Sequence, residues 1–158
     1  MCRTARYESG VTMGFLKSDN VMLGQHADSK DEALWDVARK AVQLGVTDDA
    51  AFIDREALGE TGMTEGFAIP HAKCNEIRRA TVIVYKNDHA VEWPSFDGKP
   101  VDIAIALLVP NSQAGTTHLK LLSKTAVLLM DDDFKRLVRD ANDDEGIVNA
   151  INTELEKE

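Results

Sequence analysis

Apolar residues at Leu34, Val37, Ala38, Ala41 and Val42 recur three and four positions apart, the spacing that lines one face of an α-helix. Ser29 and Glu32 stand just ahead of them as a capping-box pair, and Gly45 closes the pattern. A second helix is expected over 48–58, with Thr47 or Asp48 as its cap and Gly59 as its stop. The period then changes. Residues 67–69 form a brief apolar run, residues 79–86 are dense in β-branched and aromatic side chains, and residues 101–109 are almost continuously apolar. These three read as strands, the last covered on both faces and central.

Between the second and third strands, residues 91–100 form a turn region sharpest at Asp97-Gly98. Helical spacing returns over 118–129, 132–140 (Asp131 or Asp132 as N-cap) and 144–155. Strands interleaved with helices, some strands covered on both sides, argue an α/β fold: a mixed β-sheet flanked by helices on both faces, in a single domain. Residues 1–12 show neither period and are expected to be a loose N-terminal extension to a domain over 13–158.

Composition narrows the function classes. Eighteen basic against 27 acidic residues give a net charge of −9, which disfavours nucleic acid and anionic membrane surfaces and favours a partner with a basic patch. The longest apolar run, residues 103–109, is too short to span a bilayer. Cys2 and Cys74 have no metal-ligand spacing and nothing resembling a signal peptide precedes them, so a cytoplasmic setting is expected. No P-loop ending, hydrolase elbow or zinc-type spacing occurs. Neither cofactor nor metal is expected.

The chemistry converges on histidine. His71 follows Pro70, which lacks an amide hydrogen, so the ladder of the 67–69 strand should stop there and leave the imidazole at its mouth. Gly62 and Gly66 give the approach its backbone freedom. An imidazole so placed suits phosphoryl or proton transfer near neutral pH. The acceptor nitrogen must be unprotonated, so the other must hold a hydrogen against an acceptor the sequence does not identify. His118, behind Thr116 and Thr117, opens a helix whose unpaired amides favour an anion. His26 and His89 fall in expected polar loops, beside aspartates or asparagine, and read as surface histidines.

Taken in order, Arg55-Glu56, Thr61-Gly62, Gly66-Phe67-Ala68-Ile69-Pro70-His71, Asp97-Gly98-Lys99-Pro100-Val101, Val109-Pro110 and His118-Leu119-Lys120-Leu121-Leu122 form a specific pattern. With it, the chain from about Leu16 onward resembles enzyme IIA of the fructose/mannitol class in the bacterial phosphoenolpyruvate-dependent sugar phosphotransferase system. The resemblance implies that His71 accepts a phosphoryl group on Nε2 from phospho-HPr and passes it to a IIB domain, with the membrane reached only indirectly through IIC. It implies that His118 hydrogen-bonds that group and that Arg55 pairs with its oxygens, although by itself Arg55 reads as a solvated helix charge. Thr61 offers either a hydroxyl or a turn contact, and Thr117 supports the phosphate from the helix start. Phe67, Ile69 and Trp93 read either as an apolar rim or as core.

Two departures from the family pattern are mild: Ala72 stands where glycine often follows the histidine, and Phe67 replaces a β-branched residue. The turn region around Trp93 to Val101 favours the fructose branch. A nitrogen-related regulatory IIA, acting by phosphorylation-dependent binding, is the alternative.

Overall fold

The computed structural model describes residues 16–51, 53, 62–113 and 115–155, and of Gln113 and His118 the backbone only. The residues expected as an N-terminal extension lie outside this set.

Among the described residues, nine strands and α-helices follow one another: β1 (Val21–Gln25), α1 (Lys30–Gln43), β2 (Phe67–Ala68), β3 (His71–Cys74), β4 (Thr81–Val91), β5 (Val101–Pro110), α2 (Thr116–Leu128), α3 (Asp132–Asp140) and α4 (Glu145–Leu155). Strand order is β1-β4-β5-β2, with β3 also on β5. The β4–β5 pair is antiparallel and the others parallel, so the sheet is mixed. β5 lies between β4 and the β2/β3 pair, which explains its unbroken apolar run: Ile103, Ile105, Leu107 and Val109 are fully buried.

Alternation along the strands sorts the core into two layers. Ala68, Ala72, Ile83, Tyr85, Ala104 and Leu108 pack with Leu34, Val37, Ala38 and Ala41 of α1. Phe67, Val82, Val84, Ile105, Leu107 and Val109 pack with Leu121 and Leu128 of α2, Phe134 and Val138 of α3, and Ile147 and Ile151 of α4. Helices therefore cover both faces, as the sequence pattern argued.

The helix ends follow local chemistry. Ser29 Oγ accepts the Glu32 amide at 3.1 Å, and Asp131 accepts the amides of Asp133 and Phe134. Lys86, reaching across from β4, donates to the carbonyls of Val138, Arg139 and Ala141 at 2.9, 2.6 and 2.8 Å. It thereby satisfies the orphan acceptors at the end of α3.

Four expectations need correction. β1 was not foreseen, being five residues long and containing Gly24 at φ 61°. β4 continues past Lys86 to Val91, because its far end pairs with Val101 after a shift in register, so His89 sits in a strand rather than a loop. α2 opens at Thr116, two residues before the expected start, with Gly115 as its N-cap. Pro70 interrupts the ladder but does not end it. Pairing with β5 resumes at His71 in the same register, each partner lying 36 positions on (67 to 103, 71 to 107). Proline loses only the donor, and the Pro70 carbonyl still accepts the Leu107 amide at 2.9 Å. Of the helix expected over 48–58, only 48–51 and 53 are described; there the Asp49 carboxylate receives the Ala51 amide at 2.9 Å.

Candidate functional site

The approach to His71 is a tight turn. The amide of Met63 donates to the Phe67 carbonyl at 2.7 Å and that of Phe67 to the Thr64 carbonyl at 3.2 Å. Glu65 (φ 59°) and Gly66 (φ 86°) are both left-handed. A Cβ on Gly66 would sit 2.8 Å from an Asp102 carboxylate oxygen and 2.9 Å from the Arg139 guanidinium, and one on Gly62 would overlap the Pro94 carbonyl.

Glu65 has a side chain and so is strained here; three neighbours hold it. Its amide donates to Asp97 at 2.9 Å, its carbonyl accepts from Arg139 at 2.7 Å, and its carboxylate pairs with Lys135. Arg139 also donates to Asp102 at 2.7 Å and lies over the Phe67 ring, 5.1 Å from its centre. The amide bonds from Glu65 and then Lys99 hold the Asp97 carboxyl below its usual range. Sequence reading singled out Asp97 as a turn residue but had no signal for Arg139, Asp102 or Lys135.

His71 opens β3 and is partly buried. Its neighbours Ala72 and Cys74 point into the α1 layer, so by alternation the imidazole faces the other side, shared with its cross-strand partner Leu107. The α2, α3 and α4 layer packs on that side. The ring Nδ1 lies 2.9 Å from the Ile69 carbonyl oxygen. A carbonyl can only accept, so Nδ1 carries the hydrogen and, in the neutral ring, the lone pair is on Nε2. This is the orienting acceptor the sequence could not name.

The other expected site residues are placed as follows. Thr117 is partly buried in the first turn of α2, and His118 is the next helical residue. Asn111 donates to Asn75 at 3.1 Å, tying the ends of β5 and β3 together just ahead of that turn. Arg55 and Thr61 lie outside the described residues. Phe67, Ile69 and Trp93 are 1, 3 and 6% exposed, so they are core and the apolar-rim reading falls. Ala72 is tolerated as expected, since Glu65 is the only described residue other than glycine at positive φ.

Residues 14–154 match the family described as phosphoenolpyruvate-dependent sugar phosphotransferase system, EIIA 2. The chain belongs to this family. A nitrogen regulatory protein of Bradyrhizobium diazoefficiens is 36% identical to this EIIA over 128 residues, covering 78% of the chain and 83% of the relative. The fructose-specific EIIABC component of Bacillus subtilis is 30% identical over 102 residues, covering 65% of this EIIA but 16% of that longer protein. The crystal structure of the nitrogen regulatory protein IIA-Ntr from Neisseria meningitidis superposes with a TM-score of 0.75 at 24% identity, covering 88% of this chain and 94% of that one; this likeness concerns the fold. Among the described residues of this EIIA, no helix is long and apolar enough to cross a membrane.

Proposed function

We propose that this EIIA is a phosphoryl carrier whose acceptor atom is Nε2 of His71. The observation that carries the reading is the 2.9 Å contact between Nδ1 and the Ile69 carbonyl, which sets the tautomer. Phospho-HPr is the donor in this reading. As the Nε2–P bond forms, the P–N bond to the donor's histidine breaks, and positive charge develops on the His71 ring. The Nδ1–H bond to Ile69 then strengthens, favouring the transition state over the ground state.

Phosphoryl transfer of this kind needs an in-line nucleophile and donors for the equatorial oxygens. In this reading the first turn of α2 supplies them through its amides, Thr117 and His118, with Arg55 and Thr61 adding a charge and a hydroxyl. Support comes from the shared face of His71 and α2 and from the glycine N-cap, which offers the helix amides no competing side chain.

Of the two branches, the regulatory one is favoured. The nitrogen regulatory relative is 36% identical over most of both lengths, whereas a fructose-specific EIIA component of Haloferax volcanii that also matches over most of both lengths is 26% identical. A phosphorylation-state-dependent interaction is then the output, and transfer to a fructose-type IIB domain belongs to the second reading. Incubation with phosphoenolpyruvate, enzyme I and HPr, followed by mass analysis under alkaline conditions, should show one phosphoryl group on His71. A phosphoryl group on another residue would refute the assignment. Rapid onward transfer to a fructose-type IIB would favour sugar uptake over regulation.

A further inference from the structure

We propose that His26, Asp28, Asp88 and His89 form a proton-operated clasp holding the bulged part of β4 to the connection between β1 and α1, closed in mildly acidic solution and released as the pH rises. The cluster takes no part in the phosphoryl chemistry. His71 is level with Leu107 near the end of β5, whereas the bulge is level with its start.

The bulge itself calls for an anchor. Lys86 pairs with Ile103 and Val91 with Val101, so four residues of β4 (87–90) face one residue of β5 (102). Asp88, His89 and Ala90 are exposed. Asn87 secures the base: its amide group accepts from the Ala27 N–H at 2.7 Å and donates to the Ala27 carbonyl at 2.8 Å. Beyond it, side chains form an alternating chain. Nδ1 of His26 lies 2.5 Å from one oxygen of Asp88, Nδ1 of His89 lies 2.6 Å from the other, and Nε2 of His89 lies 3.3 Å from Asp28.

The His89 Nδ1 contact is a hydrogen bond, so that nitrogen donates to the Asp88 carboxylate, and Asp28 stands at ion-pair distance from Nε2, so two carboxylates favour the cationic ring. Losing the Nε2 proton takes the charge out of the Asp88 bond and turns a lone pair toward Asp28. No group of three or more His, Cys, Asp or Glu side chains among the described residues is arranged to hold a metal ion.

The surrounding charges agree. His26 and Asp28 face His89 and Asp88 from the β1–α1 connection. From the first turn of α1, Glu32 takes the Asp28 amide and Lys30 lies over the Trp93 ring. The Asp88 bond raises His89 above the ordinary histidine range, while the bonds from His89 and His26 lower Asp88 below the carboxylate range. A raised base gives its full contribution below its unfolded value and loses it as pH climbs through the folded one. A lowered acid contributes above its unfolded value and loses it only in acid. The clasp is therefore closed between those limits.

The test is a titration of the histidine ring carbons by NMR, paired with exchange of the Ala27 amide corrected for its intrinsic pH dependence. In the native protein His89 should titrate above a histidine in an unstructured peptide, and Ala27 exchange should quicken by on the order of tenfold across the same midpoint, as loss of about one hydrogen bond would produce. Asp88→Asn should bring His89 down to the peptide value and abolish the step, with the amide fingerprint elsewhere unchanged. His89→Gln, which keeps a neutral donor, should abolish the step if Asp88→Asn fails to fold. A His89 that titrates with the peptide, or a step that survives either substitution, would overturn the clasp.

Discussion

The guanidinium of Arg139, near the end of α3, donates at 2.7 Å to the backbone carbonyl of Glu65, 74 residues earlier in the chain. That bond holds a left-handed residue that has a side chain, and the same guanidinium pairs with Asp102. Arg139→Ala should therefore destabilise by roughly 0.5–1.5 kcal/mol, the net worth of a hydrogen bond at a solvent-exposed carbonyl. Thermal unfolding would read this as a fall of several degrees. Arg139→Lys cannot reach both acceptors as a fork and should recover only part of the loss; full recovery would contradict the two-acceptor geometry.

Gly66 offers a second route to the same turn. Gly66→Ala adds a methyl group within 3 Å of Asp102 and Arg139 at φ 86°, so strain and crowding act together. A loss of about 1–3 kcal/mol is expected from backbone strain of this kind. Chemical denaturation of the variant alone and combined with Arg139→Ala should show the two effects to be less than additive, because both loosen one contact.

Asp97 predicts an acid response. Its carboxyl is held below the usual range by the amides of Glu65 and Lys99, so its contribution is present above about pH 4 and disappears as pH falls through the lowered value. Asp97→Asn should be less stable than the native protein at neutral pH. Below about pH 4 the two stability curves should converge; parallel curves through that range would exclude this source of stabilisation.

His71 in its neutral form should show the Nδ1–H tautomer in nitrogen-detected NMR, fixed by the Ile69 carbonyl. His71→Ala should abolish phosphorylation by phospho-HPr while leaving the amide spectrum of the sheet intact. A neutral ring protonated at Nε2 would put the lone pair on the wrong nitrogen for the proposed transfer.

His118→Ala should still accept phosphate but pass it on about 10²-fold more slowly, the usual effect of deleting one transition-state donor. Rapid-quench measurement of onward transfer provides the check. Unchanged rates would remove His118 from the mechanism.

Long periodic stretches were legible in the sequence, and so was the apolar run that leads into His71. α1, α3 and α4 begin and end close to where capping residues and apolar spacing put them, and β5 betrayed its central place by its unbroken apolar run. What escaped was set by distant partners. β1 is short and interrupted by Gly24, so its pairing with β4 supplies what local propensity lacks. The polar Asn87, Asp88 and His89 hide the far end of β4, whose place depends on Val91 meeting Val101. Pro70 obscures β3, since a proline signals a stop in sequence whereas a continuing neighbour strand bridges one missing donor. The hydrogen-bond partner of His71 was illegible for another reason: a backbone carbonyl carries no residue identity.

The constant 36-position offset across Pro70 has a further consequence for this chain. Residues 67 and 71 lie on one side of the sheet because the interval between them is even and the interruption leaves that count untouched. Deleting Ile69 would make the interval odd and turn the imidazole toward α1, away from the helices it now faces. Sidedness of the His71 ring is thus written in a parity, which tolerates changes of side chain but no change of length.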